Sequence, residues 1–210
     1  MKKFELTSET KINIFGKKLF RIKALISFGD VEAGETGGWV EKEGNVSQSG
    51  DAWVYGDAMV SGDAMVYGNA MVYGNAMVSG DARVYGDAMV YGNAMVYGNA
   101  MVSGDARVYG DAMVSGDARV YGDAMVYGDA MVSGDARVYG DADYTTIHGF
   151  GTQFRTTTFF RCKDKKVRVA CGCFFGTIPE FREQVKNTRK GKIAEEYLMI
   201  ADLMEKHFEK

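Results

Sequence analysis

From Gly50 to Gly140 glycine recurs at every sixth position without a slip, inside one phrase, Gly-(Asp/Asn)-Ala-(Met/Arg/Trp)-Val-(Tyr/Ser). Fifteen complete units run from Gly50 to Tyr139, and a sixteenth, Gly140-Asp141-Ala142-Asp143, breaks off. A period this short and this strict excludes a core assembled from distant, dissimilar segments. It predicts a solenoid, in which a unit buries its apolar face only by stacking on its neighbours.

Gly56-Asp57-Ala58-Met59-Val60-Ser61 serves for every unit. Gly-Asp is turn chemistry, because Gly accepts positive φ and Asp or Asn bonds locally to backbone. The other four residues make a short strand. Side chains alternate across a strand, so Ala58 and Val60 share one face, Met59 and Ser61 the other. Every unit keeps the Ala-Val pair, which is therefore placed inside. The variable pair is placed outside.

The variable pair carries a longer period. Tyr55, Tyr73, Tyr91, Tyr109 and Tyr127 recur at every third unit. Ser61, Ser79, Ser115 and Ser133 fall in a second such series broken only by Tyr97, and Tyr67, Tyr85, Tyr121 and Tyr139 in a third broken only by Ser103. The period of the faces is thus three units of six, so three strands make one 18-residue coil and the cross-section is a triangle. At about 4.8 Å between stacked strands, five coils are about 24 Å long.

Val54-Tyr55-Gly56-Asp57-Ala58-Met59 resembles the hexapeptide repeat of left-handed parallel β-helix proteins. The left-handed sense is implied by that resemblance alone; the usual crossover rule favours the other hand. Gly38 and Gly44 are read as extending the glycine register, so the β-helix is assigned to residues 38–141. The whole chain also resembles hexapeptide-repeat proteins of bacterial and phage genomes. The shared stretches are Lys3-Phe4-Glu5-Leu6, Phe28-Gly29-Asp30-Val31, the run from Gly44 to Ala58, and the tail around Arg155–Phe160 and Cys171–Thr177. That likeness implies no activity.

Bare strand edges at the two ends of a solenoid need caps. Residues 1–37 are read as an N-terminal β cap, with Ile12–Phe15 and Leu19–Ala24 flanking a hairpin turn at Gly16-Lys17-Lys18. Residues 142–210 are read as a C-terminal cap, a β-hairpin followed by two helices. The hairpin strands are Thr156–Cys162 and Val167–Cys173. Thr177-Ile178-Pro179-Glu180 combines an N-cap Thr, a first-turn Pro and a capping-box Glu, which starts a helix over 178–188. A second helix, about 192–208, carries Ile193, Tyr197, Ile200, Met204 and Phe208 on one face, to be buried on the last coil or on a neighbouring subunit.

The outward columns are the candidate partner-binding or oligomer surface. Met59, Met77, Met95, Met113 and Met131 form a flexible apolar stripe beside small Ser residues; its area, roughly 300 Å², is near the size at which an apolar patch means contact. Retention of Met for strand stacking is the competing reading. Arg83, Arg119 and Arg137 share one series and neighbour Tyr85, Tyr121 and Tyr139. Arg and Tyr anchor interfaces and can hold an anion; they can equally keep an acidic rod soluble. A corner series Asp51, Asn69, Asp87, Asp105, Asp123, Asp141 offers one carboxylate per corner, fewer than the oxygens calcium wants, and reads as turn chemistry. Cys162, Cys171 and Cys173 with His148 lack a familiar zinc spacing and read as buried, reduced thiols, with Cys162 across the hairpin from the other two. No metal and no cofactor is expected.

Charge is uneven: residues 50–141 carry four Arg against twelve Asp, residues 142–210 thirteen basic against nine acidic groups. An acidic rod is a poor nucleic-acid binder. Three clustered cysteines fit a reducing compartment. The polar run after Met1-Lys2-Lys3 leaves no apolar leader core, and no segment reaches membrane-spanning length. The expectation is a cytoplasmic protein with no membrane and no nucleic-acid partner. The β-helix superfamily includes acyltransferases and γ-class carbonic anhydrases. The anhydrase chemistry needs three His ligands, and this chain has only His148 and His207. The coils contain no His and no inserted loop, so no catalytic residue is assigned. The expected function is a non-enzymatic scaffold for protein–protein interaction or self-assembly, as a homo-oligomer, a trimer, or on another protein. The alternatives are a phage-encoded inhibitor of a host defence protein and an acyl-CoA-dependent acyltransferase.

Overall fold

Every sixth residue from Gly50 to Gly134 turns a corner with φ between +57° and +74°, and between corners the chain is extended. The computed structural model describes residues 2–209. Met1 and the side chain of Asp141, last member of the predicted corner series, lie outside the described residues. Among the described residues a hairpin, β1 (Phe4–Ile12) and β2 (Lys18–Ala24), precedes β3 (Thr36–Val40). One two-residue strand per repeat then follows, β4 to β18, from Trp53–Val54 to Arg137–Val138.

Each short strand pairs in parallel with the strand three repeats on: Met59 opposite Met77, Val60 opposite Val78. Three parallel sheets result, with about six rungs and three repeats per turn. The first face stacks β3 and the strands of Met59, Met77, Met95, Met113 and Met131. The second stacks Met65, Arg83, Met101, Arg119 and Arg137, and the third Trp53, Met71, Met89, Arg107 and Met125. The Ala and Val of every unit from Ala52 to Val138 have no exposed surface, as alternation requires. The outward residues are mostly half-buried rather than fully displayed, because files spaced by one strand separation shade one another.

Two departures occur at the first coil. Trp39 pairs with Met59 and Val46 with Val66, a longer step along the chain than the one that joins the regular rungs. Gly38 and Gly44 therefore do not continue the glycine register, and neither has positive φ. Gly38 instead occupies an inward position, where a Cβ would meet Val54 Cγ1 at 2.5 Å. Trp53 stands in an outward slot yet is fully buried, covered by Phe28 at 5.4 Å and Phe4 at 5.8 Å between ring centroids.

Most rung N–H groups point toward the next coil, as in Met59 N to Ala76 O (2.9 Å) and Ser61 N to Val78 O (3.0 Å), while the parallel pairing turns each central Val N–H back to a Met carbonyl of the coil before. The N-terminal end therefore presents mostly bare carbonyls and the C-terminal end mostly bare N–H groups, and a buried unpaired group is costly. The caps answer with opposite chemistry. At the N-terminal end Lys3 Nζ donates to Gly50 O and Ala52 O (3.1 and 2.8 Å), Asn45 Nδ2 to Gly62 O and Ala64 O (3.0 and 2.8 Å), and Arg21 to Gly56 O (2.9 Å). At the other end Thr158 Oγ1 accepts from Met131 N and Asp143 Oδ2 from Tyr139 N, both at 3.0 Å.

Burial lowers the Lys3 pKa from 10.5 to about 8, against the opposing pull of Asp51. Between those values the unfolded chain holds the proton and the folded chain does not, so stability rises with pH from about 8 to about 10.5. The neutral amine retains two N–H bonds for the two carbonyls. The rise is up to about 3 kcal/mol. Lys3→Met removes it. Urea titrations of both proteins across this window should give a stability difference that grows with pH, while the raised Cys162 thiol pKa, common to both, cancels. A pH-independent difference overturns the assignment.

The hairpin turn spans Asn13–Lys17 because the Asn13 carboxamide oxygen accepts from Phe15 N and Lys17 N (3.0 and 2.9 Å). Ile14 and Phe15, read as strand, therefore sit in the turn. At the other end the expected hairpin is the middle of a four-stranded antiparallel sheet, β19 (Tyr144–Phe150), β20 (Arg155–Arg161), β21 (Val167–Cys171) and β22 (Phe174–Thr177). Helix α1 (Ile178–Thr188) starts at the expected capping box, and α2 (Gly191–Phe208) follows. The apolar face of α2 does not rest on the last coil or await a neighbour. The sheet lies between: Phe160, Ala170, Tyr144 and Cys162 close the solenoid core, whereas Phe159 and Val169 face Phe181, Tyr197, Ile200, Met204 and Phe208. Two consecutive phenylalanines on opposite faces of one strand serve two cores.

Candidate functional site

Because the residues after Ala and after Val point outward in every unit, the sequence writes six vertical files on the prism. The five candidate methionines form one uninterrupted file on the first face, paired rung by rung from Met59 to Met131. Ser61, Ser79, Ser115 and Ser133 run beside them. Tyr97 breaks that file, and the fold gives the exception a use. With Phe15 and Lys17 from the hairpin turn it bounds an apolar groove of about 600 Å³ floored by Met77, Met95, Ser61 and Ser79. Phe15 is 61% exposed and Tyr97 40%, so the rings stand as walls and do not fill the groove. The hairpin turn was missed as part of a surface; the signal was Ile12, Ile14 and Phe15 around a turn-forming Asn13, with no buried face to serve.

Arg83, Arg119 and Arg137 lie on the second face, so the candidate residues occupy two faces and not one. Arg119 pairs directly with Arg137, while Met101 separates it from Arg83. Arg137 donates to the carbonyls of Asp117, Asp135 and Ala136 (3.0, 3.1 and 2.8 Å). Tyr85 stacks on Tyr67 at 4.8 Å, and Tyr121 meets Tyr139 edge-on. On the third face Tyr73, Tyr91 and Tyr109 stack at 4.8 Å and within 2° of parallel. That spacing is the strand separation itself, so these tyrosines satisfy one another along the rod. Burial raises the phenol pKa of Tyr67 and Tyr73.

The corner columns are more ordered than simple charge dilution. Asn69, Asn93 and Asn99 each donate a side-chain amide proton to the carboxylate one coil on, at 2.9 Å to Asp87, Asp111 and Asp117. The cysteines are not brought together. Cys162 is buried, its thiol pushed up to about 12 chiefly by burial, whereas Cys171 and the exposed Cys173 lie at the opposite end of the hairpin, Cys171 closing its strand and Cys173 within the two-residue turn Gly172-Cys173. His148 is exposed, with Nδ1 3.1 Å from Thr156 Oγ1. Among the described residues no three His, Cys, Asp or Glu side chains are placed to hold a metal ion, and no helix is long and apolar enough to cross a membrane.

Three parallel sheets closed into a prism, an all-Ala/Val interior and side-chain files that repeat once per turn define a β-solenoid repeat protein. Its repeats match those of the YdcK beta solenoid repeat family, over residues 52–68, 64–80, 70–84, 82–97, 106–120 and 118–134. The matched segments lie wholly within the rungs and include neither cap. None of the curated proteins matches the chain.

Proposed function

We propose that the protein is a non-enzymatic interaction module that associates with further copies of itself through the Met/Ser face. The observation that carries this reading is the uninterrupted register of Met59, Met77, Met95, Met113 and Met131 beside Ser61, Ser79, Ser115 and Ser133, with an open apolar groove at its N-terminal end. Thioether side chains adapt to a partner surface at little cost, and parallel files of equal spacing on two copies can interdigitate. One face of six rungs, about 29 Å by about 17 Å, offers about 500 Å². A standard interface buries about 800 Å² per partner. A two-fold pair on one face buries only that about 500 Å² per copy, whereas a three-fold ring sets the Met/Ser face of each copy against an adjoining face of the next and buries about 1,000 Å² per copy over its two contacts, which favours a trimer.

Light scattering behind size exclusion at tens of micromolar protein should give about three chains per particle. Met77→Glu/Met95→Glu, two outward changes that leave the core untouched, should shift the particle to one chain with its melting curve little changed. A wild-type monomer at that concentration overturns the reading.

A further inference from the structure

We propose that the C-terminal end of the second face is a binding pocket for a small polyphosphate, with a seat for an attached ring on Tyr139. Arg119, Arg137, Tyr139, Arg161, Lys163 and Lys165 line a cavity of about 510 Å³ where the last coils meet the turn between β20 and β21. Five cationic side chains from three separate stretches of chain converge there, although the rod that supplies two of them carries twelve Asp against four Arg.

Most of this charge is uncompensated. Asp143 is the carboxylate in the lining, and it is already engaged, 3.5 Å from Arg161 Nε and accepting from Tyr139 N. Arg161 also donates to Phe208 O at 2.8 Å, so it serves the fold. Arg137 donates through Nη1 to neutral carbonyls, which leaves its charge uncompensated. Among the described residues Arg119, Lys163 and Lys165 make no ion pair. Two further carboxylates, Asp117 and Asp135, stand in the adjoining groove; the first accepts from Asn99 and the second takes the Cys162 S–H.

Lys165 supplies an independent sign. It holds φ at +63°, a conformation that glycine adopts freely and a lysine does not. Lys165 N donates to Cys162 O and Cys162 N to Lys166 O, both at 2.9 Å, so the turn requires that conformation. The fold carries a strained lysine where a glycine would serve the backbone better, and that lysine lines the pocket. Four cations without carboxylate partners suit an anion of about three to four charges. The 60% exposed ring of Tyr139, braced edge-on by Tyr121, offers a stacking surface beside them.

Calorimetric titration of the full chain with tripolyphosphate and with ATP, both free of magnesium, tests this. Both should bind at low salt and weaken as salt rises. ATP should bind more tightly than tripolyphosphate, and Tyr139→Ala should erase that preference. Lys163→Ala/Lys165→Ala should weaken both ligands by at least about tenfold. Lys165→Gly should weaken binding while raising the melting temperature by about 2 °C, since it relieves the turn; a merely structural lysine would move neither in that combination. Binding that survives unchanged in the double variant overturns the proposal. So does a flat titration of wild type with both ligands, including the case in which the double variant instead loses a salt-sensitive self-association, which would assign the pocket to the acidic corner of a second copy.

Discussion

Val96→Asp should abolish the fold, and Met95→Asp, one residue earlier, should leave it standing. Val96 has no exposed surface, stacks between Val78 and Val114, and belongs to a core whose regular rungs contribute only Ala and Val. A carboxyl group there finds no donor. Its desolvation together with the lost valine burial costs about 5 kcal/mol or more, a large part of the about 5–15 kcal/mol that holds a domain together. Because neighbouring coils stack through the same position, the damage is not local. Met95 points the other way, half-buried beside the groove. Aspartate there loses some apolar cover and strand preference, about 1 kcal/mol. Thermal melts of the two variants should differ by tens of degrees, or the first should fail to give a cooperative melt. Similar melting temperatures would mean that inside and outside have been assigned wrongly.

The second large effect separates backbone conformation from stacking. Gly110 and Gly128 both hold positive φ, +73° and +63°. A Cβ on Gly110 would lie 3.0 Å from Gly128 N and 3.2 Å from its O, whereas on Gly128 it would meet nothing within 4 Å. Gly128→Ala therefore carries only the left-handed strain, about 1 kcal/mol. Gly110→Ala carries that strain and also pushes two coils apart, for a total of about 2–3 kcal/mol. Equal losses in chemical denaturation would show that the corners are not in close contact. The comparison also explains why glycine, and not asparagine, occupies the corners from Gly62 to Gly116: a Cβ there would lie 2.9–3.1 Å from the backbone of the next coil.

Much of the architecture was legible because the repeat converts one local decision into a global one. Once Ala58 and Val60 share a face, every other Ala-Val pair must do the same, and the Tyr/Ser pattern counts the faces. The capping box at Thr177 and Glu180 was legible for a similar reason, since both partners lie within one turn of chain. Reading failed where distance in sequence mattered. The longer offset of the first coil depends on how β3 meets Met59, not on where Gly38 and Gly44 fall. Burial of Trp53 depends on Phe4 and Phe28. Cys162 and Cys171 are parted because the Thr157–Cys171 register sets the hairpin.

The candidate surface divides the same way. Membership of a column is set by position in the period, so the Met, Arg and Tyr files could be written down without coordinates. Which columns remain available could not. Tyrosines on the third face are occupied by one another, Arg137 Nη1 is tied to carbonyls, and the Met face gains a wall from a hairpin turn far upstream of Ser61. A six-residue period with one small and one branched apolar residue inside admits only a stacked rod, so the sequence alone determined the solenoid, its three-repeat turn and the sense of each side chain. The ends carry no period. There the bare carbonyls and N–H groups needed partners, and only the tertiary structure decided that Lys3, Arg21 and Asn45 would meet the one set and Thr158 and Asp143 the other, because those contacts join residues that no local rule relates.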